Sequence, residues 1–191
     1  MNVHKTGRIT FTMRVEAGAK IIGYRLRQVK QQLGFVEPLA AGEKAEVAAH
    51  LPPAALTLFE TMSPADQRHS LRVRQGLQAR GSTDDMLVAA LLHDVGKAGR
   101  VPFWTRPAIV LGKRLAPRLL AKLVVPPRDF ALQRRRLPRW RRSLSYAWYH
   151  ADVGADLAAA AGLPEQAVLY IRTHHQPNGP AAALHAVDEV S

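Results

Sequence analysis

The sequence predicts an all-α protein. Three observations carry that reading: apolar residues fall at helical spacing from residue 24 onward, Pro, Ser, Asp and Gly punctuate the chain where helices should begin and end, and no paired strand pattern occurs. A chain of 191 residues, 47% hydrophobic and 22% charged, also has enough apolar material for one well-buried core.

The elements follow in order. Residues 8–16 alternate loosely through Ile9, Phe11, Met13 and Val15, which predicts a short strand or extended segment with no partner strand. Residues 24–33 contain no breaker, and residues 37–50 are rich in Ala, Glu and Leu, so both read as helical. Pro52 and Pro53 open a helix through Leu56 and Phe59, because a proline in the first turn has no hydrogen bond to lose. Ser63-Pro64-Ala65-Asp66 is an N-cap followed by proline, starting a helix through His69, Val73 and Leu77 that stops before Gly81.

Ser82 with Asp84 or Asp85 starts the next helix, over residues 86–94, which ends near Gly96. Arg114, Arg118 and Lys122 recur at i, i+4 and i+8, with Leu115, Leu119, Leu120 and Leu123 opposite, so residues 107–123 read as one basic amphipathic helix. Residues 145–161 are Ala-rich and end at Gly162, Pro164 begins a helix running to about His175, and Pro180 begins the last. Apart from the basic stretch, this makes six to eight helices with short joins and no internal repeat. Residues 1–50 form an N-terminal extension with helices, and residues 51–191 the main domain, with a basic insertion at 99–149.

Composition narrows the function. The absence of Cys removes disulfides, thiolate zinc sites, iron–sulfur clusters and cysteine nucleophiles, so any metal must be held by His and carboxylate. The first twenty residues lack a continuous apolar stretch, and the longest apolar run, residues 86–92, is far short of a membrane span. These features predict a soluble cytoplasmic protein, with peripheral membrane attachment open to it. The net charge of +12 is local: residues 99–149 hold thirteen Lys and Arg against the single acid Asp129, and the rest of the chain balances.

Five of the eight His, with two Asp, form an ordered set: His69, His93-Asp94, His150, His174-His175 and Asp188. Any one of these alone reads as an ordinary core or surface residue. Several of them sit at predicted helix ends or beside small and apolar neighbours such as Ala89, Ala90 and Ile171, where unpaired imidazoles and carboxylates are costly to bury and a divalent cation removes the cost. The stretch Ala89-Ala90-Leu91-Leu92-His93-Asp94-Val95-Gly96-Lys97, with Arg68-His69-Ser70 before it and Asp188 after it, resembles the signature of the HD-domain superfamily of metal-dependent phosphohydrolases. The resemblance covers residues 51–191 and implies an all-α HD-domain bundle.

His150 in a His-x-x-x-Gly pattern ending at Gly154, and the pair His174-His175, resemble the family members that hold two or more metals. The equal 24-residue spacings from His69 to His93 and from His150 to His174 suit two helix-turn-helix excursions. After the His pair this chain reads Gln176-Pro177-Asn178, without the Gly-Tyr-Pro of cyclic-di-nucleotide phosphodiesterases, which disfavours cyclic di-GMP.

The resemblance implies a binuclear centre of two divalent ions, with His69, His93 and Asp188 on one, His150, His174 and His175 on the other, and Asp94 bridging. Nitrogen and carboxylate donors suit Mn, Fe, Co, Ni or Zn better than Mg. The implied activity is hydrolysis of a phosphoester, in a nucleotide or related phosphorylated small molecule, by metal-activated water, with Asp94 central to catalysis and Lys97 contacting phosphate.

The basic segment offers a different class of function. Residues 99–142 suit an anionic membrane surface or nucleic acid, so the alternative is a non-enzymatic binding protein with a structural metal site; a solvated structural lid is the plain reading of the same charges. Trp104, Trp140 and Trp148 read as packing residues, His4, His50 and His185 as surface, and Asp152 and Asp156 as carboxylates that could support the metal ligands from behind.

Overall fold

The computed structural model describes residues 36–102, 104–126, 129 and 137–191, with only the backbone of residue 106. The expected strand at 8–16 and helix at 24–33 lie outside these residues, as does His4. Every described regular element is helical, which agrees with the all-α expectation. There are ten α-helices among the described residues: α1 Ala41–Ala48, α2 Pro53–Glu60, α3 Pro64–Gln78, α4 Asp84–Leu92, α5 Thr105–Leu115, α6 Pro117–Leu123, α7 Arg139–Trp148, α8 His150–Ala160, α9 Glu165–Thr173 and α10 Ala182–Asp188. A 3-10 turn, Val95–Lys97, follows α4. Residues 37–191 form one compact unit.

Helix ends follow local chemistry. Ser63 Oγ accepts from the Asp66 backbone N–H at 3.2 Å and donates to Asp66 Oδ2 at 2.8 Å, fixing the start of α3 with Pro64 in its first turn. Beyond the ends of α3 and α8, Gly81 and Gly162 adopt φ of 70° and 81°, a left-handed conformation that a side chain would resist.

The ten described helices exceed the expected number because residues 107–123 and 145–161, each expected as one helix, are divided; α7 also starts earlier than foreseen. Residues 107–123 are not one helix. Pro117 disfavours helical geometry in the residue before it, and Ala116 takes φ −146° and ψ 58°, separating α5 from α6. Residues 145–161 are likewise divided at Tyr149, with φ −103° and ψ 17°, so His150 begins a helix of its own.

Two apolar cores result. The larger joins α1–α4 to α8–α10 through residues such as Phe59, Leu77, Leu91, Leu92, Ile171 and Leu184. The smaller unites α5, α6 and α7 through Ile109, Leu120, Val124 and Leu144, with Trp148 partly buried against it. Within the larger core, α4 lies between α3 and α9, and α8 packs on α9 and on the 3-10 turn.

Candidate metal centre

The helices of the larger core bring their chemistry-bearing ends together. His93 caps the C-terminus of α4, His174 caps that of α9, His150 is the first residue of α8 and Asp188 the last of α10, while His69 projects from within α3. The eleven residues of α8 and the nine of α9 rise about 16 Å and about 14 Å, so the antiparallel pair returns His174 to the level of His150.

Two glycines let these ends approach. A Cβ on Gly96 would lie 2.9 Å from the backbone nitrogen of Gly154 and against the His150 carbonyl, so the 3-10 turn after Asp94 seats directly on the first turn of α8. A Cβ on Gly76 would meet Val187 Cγ1 at 2.8 Å, and this contact draws α10, and with it Asp188, onto α3 beside His69.

The donor atoms form two triads, His69–His93–Asp188 and His150–His174–His175, each with its ligand atoms within 4.8 Å of one another. His69 Nε2 lies 2.7 Å from Asp188 Oδ1, and His93 Nε2 lies 3.5 Å from the same oxygen. In the second triad His175 Nε2 stands 2.9 Å from His150 Nε2. Asp94 sits between them, its Oδ1 3.8 Å from His93 Nε2 and 3.5 Å from His150 Nε2. The rings of His93 and His174, one from each triad, meet edge to face at 5.2 Å. The expected ligands are therefore all brought together, in the expected grouping.

The backbone fixes the tautomers. His93, His150 and His174 each donate an Nδ1–H to the carbonyl three residues earlier, Ala90, Ala147 and Ile171, at 2.7 to 2.8 Å. The Nε2 lone pairs are thereby left to face the cluster. Among the described residues, buried side-chain atoms without a hydrogen-bond partner include His93 Nε2, His174 Nε2 and Asp94 Oδ1, although Lys97 is ion-paired with that Asp94 oxygen. Such orphaned buried atoms are expensive, and convergent acceptors of this kind fit a cation.

Electrostatics point the same way. Burial, reinforced at His150 by Lys97 and at His174 by His93, holds the His150 pKa well below the usual imidazole value and that of His174 at about 3, so both rings are neutral ligand donors near neutrality. Burial opposes the charge on Asp94, yet Lys97 and then the imidazoles around it hold the carboxyl well below its usual range. His93 is raised: burial works against its proton, and the carboxylates of Asp94 and Asp188 prevail. Lys97 Nζ stands 2.6 Å from Asp94 Oδ1 as an ion pair without hydrogen-bond alignment, so a positive charge already attends the central carboxylate.

The centre has an open side. Asp94 and His93 are deep, but the side chains of His69, Asp188 and Lys97 keep 22%, 20% and 18% of their exposure, and His175 lies at the rim. Lys113 of α5 is near enough to His175 to lower its proton affinity, after the larger effects of burial and Lys97. Its ammonium lies 5.0 Å from the centroid of the Trp148 ring.

Several residues stand elsewhere than expected. Asp152 and Asp156 turn outward to Arg172, at 3.2 and 2.7 Å, and so support no ligand. His185, expected at the surface, is partly buried and donates from Nδ1 to the His174 carbonyl at 3.2 Å, a contact behind the ligand that no spacing in the sequence signals. His50 is exposed, as expected. Trp148 packs, whereas Trp104 and Trp140 remain 38% and 48% exposed.

No family model, curated protein or solved structure matches this chain. Its functional reading rests on the centre itself.

Proposed function

We propose that this chain is a metal-dependent phosphohydrolase of the HD type, acting on a nucleotide or related phosphoester. One observation carries the reading: two His/Asp triads meet at a buried carboxylate, and their innermost donors have no hydrogen-bond partners.

His69, His93 and Asp188 would hold one divalent ion, His150, His174 and His175 the other, and Asp94 would serve both. Ions there would supply Lewis acidity toward phosphoryl oxygens and acidify water for attack on phosphorus. The Nε2–Nε2 separation of 2.9 Å between His150 and His175 is compatible with two imidazoles on one ion at bond lengths of about 2.0–2.1 Å. An all-nitrogen triad favours Mn, Fe, Co, Ni or Zn over Mg.

The chain's own residues account for binding and orientation. With Asp94 engaged as a ligand, Lys97 at the mouth of the centre would be available to a phosphoryl oxygen, and Lys113 adds positive potential at the same rim. The neutral imidazoles hold their donors ready through backbone carbonyls that need not move. A purely structural metal site is typically closed by protein ligands, whereas this one opens at His69, Asp188 and His175, which favours turnover over the alternative of a binding protein with a structural metal.

The test combines elemental analysis of protein prepared without chelators with a hydrolysis panel of nucleotides, dinucleoside polyphosphates, cyclic dinucleotides and an aryl phosphate, run with Mn, Mg, Co and Ni. We expect two ions per chain and turnover of a nucleotide phosphoester. Stoichiometric metal with silence across the panel would establish the binding-protein alternative, and no metal uptake would end both readings.

A further inference from the structure

The smaller helical assembly has a surface unlike the rest of the molecule. Of the eight large hydrophobic residues exposed among the described residues, six lie between residues 104 and 140: Trp104, Val110, Leu111, Leu115, Leu119 and Trp140. Scattered exposed apolar residues are ordinary, but here Val110, Leu111, Leu115 and Leu119 fall within ten residues at 59% to 71% exposure. The same stretch carries much of the chain's excess positive charge, with Lys113, Arg114, Arg118 and Lys122 all exposed.

The break at Ala116 produces this arrangement. A continuous helix would place Leu115, Leu119, Leu120 and Leu123 on one covered face. Instead α5 turns Ile109 inward and α6 turns Leu120 inward, close enough that a Cβ on Gly112 would lie 2.9 Å from Leu120 Cδ2. Leu115 and Leu119, on either side of the break, are left outside. On α5, Leu111 and Arg114 lie opposite Ile109 at 100° per residue, with Val110 to the side; on α6, Arg118 and Lys122 lie opposite Leu120.

We propose that the α5–α6 helix pair is a docking surface for an anionic lipid bilayer. Aliphatic side chains flanked by Lys and Arg match the two layers of such a surface, acyl chains below and negative headgroups above. A nucleic-acid backbone would reward the cations alone and leave Val110, Leu111, Leu115 and Leu119 with nothing to gain. No described helix is long and apolar enough to cross a membrane, so the face is read as lying on a bilayer surface. The proposal does not depend on the hydrolytic reading, because, Lys113 apart, these residues stand outside the metal centre.

The test is co-sedimentation of the full chain with vesicles of phosphatidylcholine alone or with about 30% phosphatidylserine. The chain should bind only the anionic vesicles. Leu111→Glu with Leu115→Glu should abolish binding while leaving metal content and thermal midpoint unchanged, since both side chains are exposed. Arg114→Gln with Arg118→Gln and Lys122→Gln should weaken it on the order of a hundredfold, at about fivefold per charge.

Failure of the unsubstituted chain to bind anionic vesicles overturns the proposal. So does binding that survives the two glutamates but is lost with the cations, particularly if duplex DNA or RNA competes; the face then follows phosphate chains. A self-association removed by the glutamates, without vesicle binding, would assign the face to a second copy of this chain and likewise overturn it.

Discussion

The two assemblies of helices distribute polar and apolar groups in opposite ways. Around the candidate metal centre, twenty-four buried apolar residues enclose ionisable groups that have lost their water: His93, Asp94, His150 and His174 are all buried. In α5–α7 four buried apolar residues form the core, and other large apolar side chains stay in solvent among cations. The first region has the apolar mass to hold costly polar groups in place. The second has little to spare, so its features are interpretable mainly by what they present outward. A buried group without a partner and an exposed group without a cover each imply something that binds, and they imply different things.

The sharpest break in the comparison is chemical. Asp94→Ala removes the carboxylate shared by both triads, and turnover should fall by at least about a thousandfold with loss of bound metal, while vesicle binding through α5–α6 persists. Elemental analysis and kinetics on the same preparation would show it. Full activity in this variant would remove Asp94 from the centre.

Glycine substitutions test rigidity. In Gly96→Ala the new Cβ meets backbone of α8, which cannot step aside, and the loss should be about 3 kcal/mol or more in chemical denaturation. In Gly112→Ala it meets the end of the Leu120 side chain, which can rotate, and about 1 kcal/mol is expected. Equal effects would mean that the two cores are equally rigid.

The smallest effect concerns pH. With metal removed, the denatured chain takes up protons on its imidazoles as pH falls through about 6.5, whereas folded His174 resists until about 3 and His150 resists well below its usual value. Stability therefore declines with falling pH across that window. His93 acts oppositely: its raised pKa contributes stability below about 6.5 that is lost as pH rises through its folded value. His175, lowered to about 4, resists as well, and three resisting rings against one should make the urea midpoint of metal-free protein lower at about pH 5 than at about pH 7.5. A higher midpoint at the acid end would show that the carboxylates around His93 dominate the cluster.

Much of the centre is legible in the amino-acid sequence. Ser63-Pro64 marks the helix that carries His69, the small residues before His93 mark a buried helix end, and the two triads that the family resemblance implies are the groups that the fold assembles. What escapes is whatever depends on a neighbour rather than on spacing. Helical periodicity places Leu115 and Leu119 on a face but does not say that another helix will decline to cover it. Pro117 signals the turn at Ala116, and the leucine pattern masks it. Asp152 and Asp156 follow His150 on its own helix, yet Arg172 from α9 draws them outward, and His185 reaches His174 only because α10, packed on α3, passes the C-terminal end of α9.

The three hydrogen bonds from imidazole Nδ1 to helix-end carbonyls also settle the centre's charge balance. An amide oxygen behind a histidine leaves it a neutral donor, where a carboxylate behind it would push it toward an anionic one. Among the seven candidate ligands the formal negative charge then comes from Asp94 and Asp188 alone. Two divalent ions among them would leave a double positive excess beside Lys97. A phosphoryl dianion would neutralise that excess, whereas a neutral ester would leave it standing, so a centre holding two such ions would sort its ligands by ionisation state before any shape is read.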